Sequence, residues 1–255
     1  MPTSPASPTA EQLPARTAAV WAALDAVVGS AAPLRVLDVG GGSGMFAVPL
    51  ARLGHDVTVV DPSADALATL RRRADTAGVG ERVHGLQGDG DLLHEVLPAA
   101  DAGSGGQDDG YDLALCHFVL EVVDDPGITL REISRALRPG RQVSVATGNR
   151  AGAVLGRAVS GHPVEALALL EDRVPVPARS GHPARRRFSP QDMLALVEAA
   201  GLRPGPWRGV SVVADLLEAT SGADANAVRA LELALAEQSP YRDIATGLHV
   251  LARRP

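Results

Sequence analysis

The chain has 255 residues, 45% of them hydrophobic, and a formal charge of −6 from 24 basic and 30 acidic side chains. That apolar content excludes a wholly disordered chain, and the length suits one large α/β domain that folds without disulfides or metals. No apolar run approaches the roughly 20 residues that span a bilayer, the single cysteine Cys116 excludes an intramolecular disulfide framework, and the absence of lysine excludes lysine Schiff-base chemistry.

Residues 1–10 are rich in Pro, Ser and Thr and read as a disordered leader. They lack a basic stretch followed by an apolar core, so no secretion signal is expected, and one cysteine fits a cytoplasmic protein. Leu13, Val20, Trp21, Leu24, Val27 and Val28 recur at helical spacing over 11–28. The apolar run 34–39 predicts a buried strand ending in glycines, and 45–53 a helix. A second strand covers 55–60 and closes on Asp61-Pro62. Ser63 is placed to cap a helix that runs to 77. A third strand is expected at 82–86, a surface loop at 99–110, and a fourth strand at 111–116. A helix follows at 126–137, then a turn at Arg138-Pro139-Gly140 and a fifth strand at 142–146.

The stretch 149–189 interrupts this rhythm with Pro163, Pro175, Pro177 and Pro183 and the run Arg185-Arg186-Arg187. It reads as an insertion, lid-like, inside a single domain that spans 11–255. A helix at 190–200, a strand at 207–213, a helix at 225–238 and a strand at 245–252 complete the chain. Such alternation predicts a parallel sheet with helices on both faces. Ligands of these sheets sit at the carboxyl ends of the strands, where strand order switches direction.

The strongest chemical signal is Asp38-Val39-Gly40-Gly41-Gly42-Ser43-Gly44, between a strand and a helix. Glycines turn tightly and let a backbone approach a ligand. Asp61 closes the next strand, where a carboxylate can accept from both hydroxyls of a ribose. A nicotinamide-binding or other nucleotide-binding Rossmann domain is the competing reading of the loop alone. Asp38, Gly40, Gly42 and Gly44 with Asp61, Gly88-Asp89-Gly90-Asp91 and Leu137-Arg138-Pro139-Gly140 together resemble the S-adenosylmethionine-dependent methyltransferases. The resemblance implies a Rossmann-like seven-stranded α/β sheet, mostly parallel with an antiparallel C-terminal strand, and S-adenosyl-L-methionine as cofactor.

The segment from Cys116-His117-Phe118 to Asp124-Asp125-Pro126 carries a narrower likeness, as do Asp215-Leu216-Leu217, Glu237-Gln238-Ser239-Pro240-Tyr241 and the ending His249 to Pro255. These look like the tRNA 5-carboxymethoxyuridine methyltransferases. The resemblance implies that Arg16 pairs with the carboxylate of the cofactor's methionine moiety. Gly40, Gly41, Gly42 and Gly44 approach the cofactor with Asp38, and Asp61 holds its ribose. Asp89 and Gly90 flank the adenine, and His117 lines the methionine end. Arg185, Arg186, Arg187 and Asn149 fall on the acceptor side, where arginines suit tRNA phosphates.

In that family's reaction a carboxylate becomes a methyl ester. A carboxylate is already ionised at neutral pH, so no general base and no metal are required. A small-molecule acceptor that must lose a proton is the alternative, with His117 as candidate base and the insertion as an apolar lid. A non-catalytic cofactor-binding protein is the third reading. Departures from the family gather on the acceptor side: Ala146-Thr147-Gly148 replaces aromatic residues and Val122 replaces a Trp.

Overall fold

In the computed structural model, residues 14–29, 32–98, 110–171, 185–217 and 222–255 are described. The expected leader at 1–10 and all but Gly110 of the expected loop at 99–110 lie outside them.

The apolar runs form seven strands: β1 Arg35–Val39, β2 Asp56–Asp61, β3 Val83–Gln87, β4 Tyr111–His117, β5 Leu137–Gly148, β6 Arg203–Val210 and β7 Gly247–Arg253. They make one sheet in the order β3-β2-β1-β4-β5-β7-β6. The first five pair in parallel, and β7 runs antiparallel to both β5 and β6. The chain leaves β1 towards β2 on one side and returns to β4 on the other. A crevice therefore opens at the carboxyl ends of β1 and β4.

Helices cover both faces. α1 Ala18–Val28, α2 Ala47–Arg52 and α3 Ala64–Thr76 bury Trp21, Leu24, Leu50 and Leu70 against Leu113 and Leu115. α4 Leu93–Val96, α5 Pro126–Ala136 and α8 Pro190–Ala199 bury Leu130, Ile133, Met193 and Val197 against Leu37 and Val143 on the other side. Near-continuous apolar strands are what a sheet covered on both faces demands. Helix starts follow the sequence: Ser63 Oγ accepts from the Ala66 N–H at 3.2 Å, and Ser189 and Asp192 form a reciprocal capping box ahead of α8.

Three expectations are corrected. The described residues ahead of the first helix form a short 3₁₀ turn at Ala15–Thr17, and the helix itself begins at Ala18. The expected turn at Arg138-Pro139-Gly140 belongs to β5. Leu137 pairs with Tyr111 before the register jumps to Gln142 opposite Leu113. The extra residues form a bulge in which Gly140 takes φ +76° and donates to the Arg254 carbonyl at 2.9 Å. β6 begins at Arg203, ahead of the expected 207. Within 149–189 the described residues form α6 Arg150–Val159 and α7 Pro163–Leu170. The chain then returns beside its departure point, through an isolated bridge between Asn149 and Phe188.

α9 Ala225–Leu235 supports the carboxyl end of β6. Its buried Glu232 accepts from the backbone N–H groups of Val212, Val213 and Ala214 at 2.8, 2.7 and 2.6 Å. Hydrogen bonds to a charged group are strong, and leaving buried donors empty is costly. Glu232→Ala is expected to lower the unfolding free energy by about 3 kcal/mol or more. Urea denaturation checks this, with Glu232→Gln expected between the wild type and Ala.

Candidate active site at the carboxyl edge

The glycine loop needs its glycines for stated reasons. Gly40, Gly42 and Gly44 have φ of +66°, +55° and +81°, a region that side chains strain. A Cβ on Gly41 would lie 2.4 Å from Asp38 Oδ2. Gly40 N–H donates to the Val60 carbonyl at 2.7 Å, which ties the loop after β1 to β2. Asp61 Oδ2 accepts from the Gly42 N–H and Oδ1 from the Ser63 N–H, both at 2.9 Å. Each carboxylate oxygen keeps acceptor capacity for a ligand hydroxyl.

Asp38 is buried beneath the loop, and its Oδ2 has no partner among the described residues. Burial, with the Asp61 charge adding to it, pushes its carboxyl up to about 7. A buried acceptor facing a glycine backbone with no room for side chains fits a ligand that brings its own donors and cation. These features accommodate S-adenosylmethionine. Asp89 is exposed and Gly90 buried in the turn after β3. Asp91 braces that turn against α5, accepting from the Asp125 N–H at 3.2 Å and from the Thr129 hydroxyl.

His117 ends β4. Its ring meets Phe46 edge-on at 4.4 Å, and Phe46 stacks on Trp21 at 5.0 Å. Its Nε2 lies 2.8 Å from Ser144 Oγ. Burial pushes His117 down to about 3, so the ring is neutral. Phe118 follows with φ +58° and 40% exposure, at the mouth of the crevice. Cys116 is fully buried, and burial pushes its thiol up, away from nucleophilic character.

Arg16 lies at the same edge. Its Nε is 2.7 Å from Asp215 Oδ1, in the loop that follows β6. Asp215 Oδ2 accepts from the Thr246 hydroxyl at 2.6 Å. Arg16 keeps 69% side-chain exposure. Sequence reasoning missed Asp215 as a functional side chain. Its only signal was a place in a matching stretch.

The acceptor side brings together part of what was expected. Asn149 does not face an acceptor, which corrects that expectation. It is fully buried, caps α6 by accepting from the Ala151 N–H, and donates to the Asp243 and Ala245 carbonyls at 3.0 and 2.8 Å. Arg186 is also committed, donating to the Val123 and Asp124 carbonyls. Arg185 is exposed. Arg187 is half-buried beside Gly148 and Glu121. Glu121, a second residue missed at the sequence level, accepts from the Gly148 N–H, and its own carbonyl accepts from the Arg186 N–H at 3.1 Å. It thereby pins departure and return of the 149–189 stretch to the end of β4. Among the described residues no cluster of His, Cys, Asp and Glu is arranged to hold a metal, and no helix is long and apolar enough to cross a membrane.

Residues 10–204 match a family model described as a methyltransferase domain. With the seven-stranded order, the glycine loop and the Asp61 clamp, this places the chain in the S-adenosylmethionine-dependent methyltransferase family. It is an enzyme that uses S-adenosylmethionine as methyl donor. The chain is 31% identical to the tRNA 5-carboxymethoxyuridine methyltransferase of Escherichia coli K12, over 94% of this chain and 88% of that protein. It is 30% identical to a ubiquinone biosynthesis O-methyltransferase of Xanthomonas oryzae, over 68% of each. The crystal structure of an S-adenosylmethionine-dependent methyltransferase from Mesorhizobium loti superposes with a TM-score of 0.59 at 22% identity, covering 92% of this chain and 98% of that one.

The fold binds the Asp38 proton more tightly than the unfolded chain does. Its stabilising contribution is therefore full below about pH 4 and is lost as pH rises to about 7. The slope reaches about 1.4 kcal/mol per pH unit. Asp38→Asn has no proton to lose and should flatten that part of the profile. Urea denaturation of both proteins at pH 5 and 7, without cofactor, tests this; parallel profiles would refute it.

Proposed function

We propose that this enzyme methylates the carboxylate of 5-carboxymethoxyuridine in tRNA, giving the methyl ester. The observation that carries the reading is the extent of the match. The tRNA methyltransferase aligns over 94% of the chain, whereas the O-methyltransferase match covers 68%. The acceptor side is consistent in its charge. Arg187 stands beside Gly148, where β5 ends, and Arg185 is exposed two residues before it; guanidinium groups suit phosphate and carboxylate.

Each residue has a part in this scheme. Gly40, Gly41 and Gly42 offer backbone to the cofactor, with Gly44 setting the turn into α2. Asp61 accepts from its ribose hydroxyls, Gly90 and Asp89 border its adenine, and Asp38 faces its ammonium. Arg16, largely exposed beside Asp215, holds its methionine carboxylate. S-adenosylmethionine supplies a methyl group on a sulfonium, already a strong electrophile. The protein then has to align an ionised acceptor with it and exclude water, and proximity and orientation supply much of the rate.

A second reading has its own observation. α6 and α7 expose Leu155, Val159, Val164, Leu167 and Leu170. An apolar surface of that kind suits a small apolar acceptor under a lid.

Methyl transfer from labelled S-adenosylmethionine separates the two. Undermethylated tRNA is expected to take label as an alkali-labile ester in one digested nucleoside. Label confined to an RNA-free metabolite extract would overturn the tRNA reading. Arg16→Ala is expected to weaken S-adenosylhomocysteine binding about tenfold or more, one charged hydrogen bond or two. Asp215→Ala should weaken it less, because Arg16 remains. Calorimetry checks both; unchanged affinity in Arg16→Ala would remove it from the site.

A further inference from the structure

Two glycines face each other at the carboxyl end of the sheet. Gly148, the last residue of β5, pairs with Gly247, the first of β7. Directly opposed residues of antiparallel strands point to one face, with Cβ positions about 5 Å apart. Each missing side chain leaves room for a neighbour to lie on the backbone. A Cβ on Gly247 would sit 3.2 Å from Cε1 and 3.3 Å from Cζ of Phe118. A Cβ on Gly148 would sit 3.2 Å from Cδ and from Nη1 of Arg187, and 3.3 Å from Glu121 Oε1. The Phe118 ring and the Arg187 guanidinium therefore lie next to each other on the end of the sheet.

Both groups keep a side towards solvent. Among the Phe, Trp and Tyr side chains only Phe118 and Tyr241 are exposed. The φ of +58° at Phe118 is one that a bulky residue holds only when its surroundings impose it. Here its N–H donates to the Ala146 carbonyl at 2.7 Å. The ring is thus fixed, directly after His117. Arg187 is half-buried among other charges. Burial works against its cation, Glu121 supports it, and the charges of Arg185 and of Arg157 on α6 work against it. Glu165 lies 3.6 Å from Arg157, so three guanidinium groups share two carboxylates. Glu121 spends Oε1 on the Gly148 N–H, and its Oε2 has no partner among the described residues. It therefore does not grip the Arg187 guanidinium with both oxygens.

We infer that Phe118 and Arg187 form an acceptor subsite for one nucleotide of RNA: the base stacks on the Phe118 ring, and a flanking phosphate meets Arg187, with Arg185 and Arg157 around it. The inference rests on the proposed RNA acceptor and adds which residues hold it. A ring alone suits any planar acceptor, a small aromatic molecule included. The excess of guanidinium beside the ring favours an acceptor that carries a base and a phosphate together. Stacking accepts every base, and a guanidinium fork matches phosphate. Arg187 is not assigned to the reacting carboxylate. That group loses its negative charge as the ester forms, so a cation held on it favours the ground state over the transition state. A contact with an unreacting phosphate is equal in both states and shows in KM and not in kcat.

Two readouts test this: steady-state methylation of undermethylated tRNA, and fluorescence anisotropy with a short uridine-rich single-stranded RNA that lacks the modification. Phe118→Leu is expected to raise KM for tRNA and Kd for the oligonucleotide about tenfold or more, as for one lost stacked base, and Phe118→Tyr to stay within about threefold. Arg187→Gln is expected to raise KM with kcat kept within about threefold, and to lower the salt slope of oligonucleotide binding by about 0.7. S-adenosylhomocysteine affinity should match the wild type in all three, which reports an intact fold. Arg185→Gln, at an exposed position, repeats the slope test should Arg187→Gln lose that affinity. Wild-type KM in both Phe118→Leu and Arg187→Gln would overturn the inference and leave the proposed function standing. Equal weakening by Leu and Tyr would count against stacking, and a fall in kcat alone in Arg187→Gln against a phosphate contact. If wild-type protein leaves tRNA unlabelled, the carboxylate reading fails and the oligonucleotide decides the subsite. Weaker binding in both variants then supports it; no binding by the wild type, or unchanged affinity in the variants, overturns it.

Discussion

Asp61 receives two backbone N–H groups, from Gly42 in the loop after β1 and from Ser63 at the start of α3. That one carboxylate joins the two strand ends on which the crevice is built. It fixes the glycine loop in a conformation with three positive φ values, and it fixes where α3 starts. The loop in turn sets Phe46 against His117 and Trp21. Everything at the carboxyl edge is registered against this clamp. Its cost is electrostatic: a second carboxylate, Asp38, lies buried nearby, and part of its raised pKa comes from the Asp61 charge. A cationic ligand beside Asp38 would relieve that repulsion.

The acceptor side is organised differently. The 149–189 stretch leaves and re-enters the sheet at one point. Glu121 joins Gly148 and Arg186 there, and Asn149 ties the departure to the loop ahead of β7. Both ends of the stretch are therefore rigid, while α6 and α7 present an apolar surface outward. Arg185 and Arg187 stand at this junction. The arrangement couples whatever binds there to the end of β4, where His117 and Phe118 lie.

Much of this was legible in local sequence. The glycine loop, Asp61 and the Ser63 cap are short-range features whose chemistry is written in adjacent residues. The parallel strands were legible because burial on both faces makes them continuously apolar. What escaped depended on distant partners. The bulge at 138–141 looks like a turn until Leu137 is seen to pair with Tyr111 and Gln142 with Leu113. Asn149 and Arg186 are polar residues that reasonably suggest ligand contact, yet backbone groups of other elements consume them. Asp215 and the Ser144–His249 pair arise from the antiparallel registers of β6 and β7. No pattern within either strand announces those contacts, which join residues 199 and 105 positions apart in the cases of Arg16–Asp215 and Ser144–His249.

If the methyl donor binds in the crevice between β1 and β4, the loop after β1 must feel it. Amide proton–nitrogen spectra of the wild-type protein, titrated with S-adenosylhomocysteine, test it most directly. Saturable shifts are expected at Gly40, Gly41, Gly42, Asp61 and Gly90, with Arg35, Asp56 and His84 at the opposite edge of the sheet unmoved. Saturation that leaves the glycine-loop amides in place, or shifts centred on the opposite edge, would contradict it.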